Sequence, residues 1–170
     1  MLKGERVIDF FRNRFSDRPI EALDIPFAAV ATGLHSGSEV WLRTGSTADA
    51  VRASMALPGL FTPAQREGRL LVDGGLVNPV PVSLARAMGA EVIIAVNLGT
   101  PLLQREQITS ALSVATQMLN ILTEQNVQAS LASLKPTDVL IQPALGSYSA
   151  GDFDNMPSTI PIGAAAAHLV

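Results

Sequence analysis

The chain has 170 residues, no cysteine and a formal net charge of −3, with 48% apolar and 16% charged residues. That length is about one domain with room for a hydrophobic core, and the composition excludes a disordered chain. The charge leaves no electrostatic footprint for nucleic acid or an anionic membrane, and the lack of cysteine excludes disulfides, thiolate catalysis and cysteine-based zinc sites.

The two histidines, His35 and His168, lie far apart in sequence and do not by themselves make a metal site. Met1-Leu2-Lys3-Gly4-Glu5-Arg6 has no apolar core of a signal peptide, and no apolar run approaches the roughly 18 residues of a membrane span. The expectation is a soluble chain, cytoplasmic or held peripherally at a membrane.

Arg6 to Phe15 places Val7, Phe10, Phe11 and Phe15 on one face and predicts a helix ending near Pro19. Ile25 to Ala31 reads as a buried strand. The turn-rich His35-Ser36-Gly37-Ser38 and the alternating Glu39-Val40-Trp41-Leu42-Arg43 predict a hairpin. Ser46 to Leu57 predicts a helix, with Ser46 and Asp49 as a capping box and Pro58-Gly59 as its stop.

Arg69 to Val72 reads as a strand, and Pro79 to Met88 as a helix closed by Gly89. Glu91 to Asn97 is β-branched and continuous, the pattern of a strand buried on both faces. Glu106 to Leu134 carries Ile108, Ala111, Leu112, Ala115, Met118, Leu119 and Leu122 at helical spacing. It predicts a long amphipathic helix, roughly 40 Å if unbroken, whose apolar face from Ile108 to Leu122 reads as core rather than lipid-facing. Asp138 to Ile141 reads as a strand and Ile160 to Val170 as a final helix. Strands alternating with helices predict one α/β layered domain with a largely parallel sheet.

Asp73-Gly74-Gly75 follows the apolar Leu70-Leu71-Val72 and precedes Asn78-Pro79. Asp-Gly alone is an ordinary turn signal. Here the flanks place a carboxylate at the carboxyl end of a buried strand, where active groups of α/β folds sit. Glycines there allow close approach to the backbone. Such an aspartate can take a proton from a hydroxyl too weakly acidic to attack unaided, and partial burial raises its pKa toward a useful value.

Three blocks then carry a resemblance: Ala29-Val30-Ala31-Thr32-Gly33; Gly45-Ser46 with Ala48 to Pro63; and Val72 to Pro81. In order, over roughly residues 28 to 98, the chain resembles the later part of a patatin-like phospholipase domain of bacterial type. The resemblance implies a three-layer α/β/α fold and a serine lipid acyl hydrolase acting through a Ser-Asp dyad. Asp73 is then the general base, in a loop formed with Gly74 and Gly75. The implied substrate is a lipid or acyl ester, with no metal or organic cofactor.

The family's nucleophile sits in a Gly-x-Ser-x-Gly elbow, and its oxyanion hole in a glycine-rich segment nearer the N-terminus. No serine of this chain has glycine at both −2 and +2, and Gly74-Gly75 is its one Gly-Gly pair. The reading is a single partial domain over 1–170: a catalytic-domain remainder to residue 98 and a helical region with one strand over 99–170.

Ser149, in Ser147-Tyr148-Ser149-Ala150-Gly151, lies after the aspartate and reads as loop; His35-Ser36 reads as a hairpin turn. Trp41 reads as packing, Arg52 as an ion-pair or loop anchor, and Asn78 and Pro79 as shaping the aspartate loop. The alternative to an enzyme is an inactive binding or assembly module, self-associating through an exposed sheet edge.

Overall fold

The structure is a computed structural model and describes residues 4–15, 17–99, 102–146, 148 and 153–170. The chain divides into two compact units, Met1–Pro79 and Val80–Val170.

The first unit is built on a four-stranded sheet of β1 (Ala29–Gly33), β2 (Glu39–Leu42), β3 (Ala64–Arg66) and β4 (Arg69–Asp73), ordered β2-β1-β4-β3. Helices α1 (Glu5–Phe15) and α2 (Thr47–Ser54) accompany it. The hairpin expected around His35 is present as β1–β2, with Thr32 opposite Glu39.

Every pairing in this sheet is antiparallel, so the expected largely parallel sheet is corrected here. For the two hairpin pairs the cause lies in the connections. A second hairpin, β3–β4, turns through Glu67 at φ 50° and Gly68 at φ 72°, the paired positive dihedrals that suit a tight hairpin turn. Turns this short permit only antiparallel neighbours. Ala64-Gln65-Arg66 lacks an apolar run and gave no strand signal in the sequence.

The core of this unit joins Ile20, Ala29, Ala31, Leu42, Ala50, Ala53 and Leu71. Small alanines on β1 and α2 let helix and sheet approach closely, and Leu71 fills the space between them. In α1 Ile8 is buried, while Phe10, expected on the packing face, is exposed. The side chains of Val7 and Phe15 lie outside the described residues. Ser46 caps α2 by accepting a hydrogen bond from the Asp49 N–H at 3.0 Å. The Asp49 carboxylate does not complete a capping box; it pairs with Arg12 at 2.9 Å.

The second unit contains α3 (Val82–Ala87), β5 (Ile94–Val96), α4 (Ala111–Leu131), β6 (Val139–Ile141) and α5 (Ile160–Ala167). Here β5 and β6 pair in parallel, with α4 on the crossover between them, the connection that parallel neighbours require. Among the described residues, parallel pairing is confined to this unit. The core gathers Val80, Val82, Ile93, Ala95 and Val127, with Leu131 and Leu140 packed against it. Asp138 fastens the two strands: its carboxylate accepts from the Ile93 N–H at 2.9 Å and the Lys135 N–H at 2.8 Å, and it pairs with Arg86.

Two expectations of burial fail in this unit. Ile93, Ala95 and Asn97 are buried, but Val92, Ile94, Val96 and Leu98 on the opposite face of the strand are exposed. The carboxyl-terminal half of α4 is anchored by Val127, whereas Val114, Met118, Leu119, Ile121 and Leu122 are exposed. That face is not core among the described residues, and the Leu112 side chain lies outside them. No described helix is long and apolar enough to cross a membrane.

Candidate functional site

Strand β4 becomes buried as it approaches its carboxyl end: Arg69 and Leu70 are exposed, Leu71 and Val72 are buried, and Asp73 is half-buried. The next residues, Gly74–Leu76, form one 3₁₀ turn capped by Asp73 itself. Asp73 Oδ1 accepts the Gly75 N–H at 2.7 Å.

Both main-chain groups of Asp73 are also engaged. Its N–H donates to Ala56 O at 3.0 Å, just beyond α2, and its carbonyl accepts from Thr32 Oγ1 at 2.7 Å. The residue is thus held through its N–H by the segment after α2, through its carbonyl by β1, and through Oδ1 by its own turn. Among the described residues no hydrogen bond reaches Oδ2. Burial pushes the Asp73 carboxyl above its ordinary value of 3.8, and the Gly75 N–H opposes this only in part.

The two glycines do different things. A Cβ on Gly74 would lie 2.2 Å from Val30 O and 2.5 Å from Val30 C, so Gly74 exists to let the turn sit on β1. The space expected for an approaching group is there filled by the protein's own backbone. A Cβ on Gly75 would stand 3.1 Å from Asp73 Oδ1, crowding the carboxylate itself.

Asn78 closes the turn. Its N–H donates to Gly74 O at 2.9 Å, and its side-chain Nδ2 donates to Glu39 Oε1 at 2.7 Å. The same Glu39 oxygen accepts from Trp41 Nε1 at 2.6 Å. Thr32 and Glu39 were not among the expected site residues; the polar threonine inside an otherwise apolar run was the available signal for the first. For Glu39 there was none, because alternation places it on a solvent-facing position.

The other singled-out residues stand apart from this loop. Arg52 donates to Thr62 O at 2.7 Å and lies 5.6 Å from the Phe61 ring centroid, an anchor for the segment after α2. His35 and Ser36 are exposed in the β1–β2 turn, where Ser36 Oγ meets Ser38 Oγ at 2.6 Å. Ser147, Ser149 and Gly151 lie outside the described residues. Among the described residues no three His, Asp or Glu side chains converge to hold a metal ion.

The fold and this loop define a mixed α/β protein that presents a half-buried aspartate at a strand terminus, in a turn that only glycine can follow. Residues 2–86, half of the chain, match the family model for patatin-like phospholipase. The chain belongs to the patatin-like phospholipase family. It is 41% identical over 98 residues to an uncharacterized NTE family protein of Mycobacterium tuberculosis, a stretch covering 58% of this chain and 27% of that protein. It is 38% identical over 102 residues to patatin-like phospholipase domain-containing protein 7 of Mus musculus, covering 59% of this chain and 8% of that one. Human patatin-like phospholipase domain-containing protein 6 is 39% identical over 88 residues, 51% of this chain and 6% of its own length. The chain thus spans about a quarter of the mycobacterial relatives it matches and far less of the mammalian ones.

Proposed function

We propose that this chain carries the base half of a lipid acyl hydrolase site, with Asp73 as the general base of a Ser-Asp dyad. The observation that carries the reading is the state of Asp73: half-buried at the end of β4, with its N–H, its carbonyl and Oδ1 each fixed by a hydrogen bond and none reaching Oδ2 among the described residues. A serine hydroxyl attacking an ester carbonyl has to lose its proton, and a base already oriented contributes about 10²–10⁴-fold. Oδ1, occupied by the Gly75 N–H, orients the group; Oδ2 receives the proton. Raising the carboxyl's pKa by burial strengthens it as a base. The substrate is a lipid or another acyl ester, and no cofactor takes part.

The nucleophile is not among these 170 residues, since none of their serines stands in a Gly-x-Ser-x-Gly elbow. Hydrolysis of a p-nitrophenyl acyl ester tests the reading. The chain alone is expected to give no rate above buffer, and fusion to an elbow-bearing segment of a patatin-like relative is expected to restore turnover. Turnover by the chain alone, abolished by Asp73→Asn, would overturn the assignment of the nucleophile to another segment.

A second reading, an assembly module without catalysis, draws on the exposed apolar rows of β5 and α4. Such rows lose water on association, which stabilises contact with another subunit or with a lipid surface.

A further inference from the structure

We infer that Glu39 is a positioning residue for the aspartate loop, holding the Asp73–Asn78 segment from across the sheet through the Asn78 side chain. The inference rests on the reading of Asp73 as the base, because only then does the attitude of this loop matter to chemistry.

The order β2-β1-β4 puts Glu39, Thr32 and Val72 in one line across three strands, Glu39 opposite Thr32 and Thr32 opposite Val72. From this line two side chains reach the same loop. Thr32 Oγ1 donates to Asp73 O at 2.7 Å, fixing the start of the turn. Glu39 Oε1 takes the Asn78 Nδ2–H at 2.7 Å, fixing its end. The turn between is closed by Asn78 N–H on Gly74 O at 2.9 Å, so a movement of Asn78 is passed directly to the residues that orient Asp73.

The carboxylate is itself held in place. Trp41 Nε1 donates to the same Oε1 at 2.6 Å, so two N–H groups converge on one anionic oxygen. Hydrogen bonds to an ionised acceptor are the stronger class. An exposed glutamate on an edge strand ordinarily samples many rotamers; this one has a single acceptor atom shared by its own strand and by the aspartate loop. The shorter Asp and the cationic Lys at this position cannot do the same: one lacks reach, the other lacks an acceptor.

The test uses the 170-residue chain and NMR. Glu39→Ala is expected to speed hydrogen exchange of the Gly75 amide about tenfold, the loss of roughly one hydrogen bond. It is also expected to move the Asp73 carboxyl titration down toward the ordinary carboxylate value as the loop admits water. Glu39→Gln, which keeps an acceptor oxygen, is expected to retain most of both properties. Asn78→Ala cuts the same contact from the other side, and the double variant is expected to add little to either single one.

Amides of the β1–β4 ladder and of β5 serve as internal controls and are expected to exchange at unchanged rates. Unchanged Gly75 exchange and Asp73 titration in both single variants would overturn the inference. So would equal acceleration across the β1–β4 ladder, which marks a general loss of stability, or full additivity of the two changes. These readouts concern the loop alone and require no turnover. Failure of the Glu39 tie therefore leaves the Asp73 reading standing, and failure of ester hydrolysis leaves the tie standing.

Discussion

Asp73 sits where its charge is disfavoured, and that fact makes its contribution to stability depend on pH. Its carboxyl titrates above 3.8 in the folded chain because burial penalises the anion. The folded state therefore holds this proton more tightly than the unfolded state. The resulting stability is fully present below the ordinary value of 3.8 and is lost as pH rises through the folded value. Asp73→Asn, which stays neutral and keeps an acceptor for the Gly75 N–H, is expected to raise the melting temperature at pH 7. The gain should shrink as pH falls toward 4, which thermal melts across that range would show. Gly74 predicts the opposite sign. An alanine there collides with Val30 main-chain atoms that belong to a paired strand, so Gly74→Ala is expected to cost about 1–3 kcal/mol or more in a denaturant titration. A neutral Gly74→Ala would mean that the turn does not rest on β1.

At the scale of elements, local chemistry was legible and strand partnership was not. The β1–β2 hairpin could be read because His35-Ser36-Gly37-Ser38 specifies a turn between two short apolar or alternating runs. The start of α2 could be read from Ser46, and Ser46→Ala is expected to cost about 1 kcal/mol by removing the cap on the Asp49 N–H. The direction of the sheet could not be read, because β3 is built from Ala64-Gln65-Arg66 and its tight turn uses Glu67 in a left-handed conformation that no propensity announces. Nor could the exposed faces be read. Val92, Ile94 and Val96 have the composition of a doubly covered strand, and composition does not say whether a cover is present. The Asp73 loop was legible as a motif, but the ties from Thr32 and Glu39 were not, since they depend on which strands become neighbours.

Asp138 gives the second unit its own pH dependence. The Lys135 N–H, then the Ile93 N–H and Arg86, hold its carboxyl below the usual range against the cost of burial. Its stabilising effect is present above the ordinary value of 3.8 and is lost as pH falls through the lower folded value. Exchange protection of the β5 and β6 amides is expected to fall on acidification through that window. Asp138→Asn should lower this protection at pH 7 and make little difference at the acid end.

For the molecule as a whole, the decisive features are the half-buried Asp73 loop, proposed above as the base of an acyl hydrolase, in one unit and exposed apolar rows in the other. The rows on β5 and on the first half of α4 are expected to drive association at micromolar concentration, seen as concentration-dependent elution in size-exclusion chromatography. Ile94→Lys and Met118→Lys should shift the chain toward monomer. A clean monomer at all concentrations would count against the assembly reading. The role of Asp73 is tested most directly by the rate of p-nitrophenyl ester hydrolysis by this chain fused to an elbow-bearing patatin-like segment, with and without Asp73→Asn. A fall of about 10²–10⁴-fold in kcat is the expected result, and a fused enzyme whose kcat is unchanged by Asp73→Asn would contradict it.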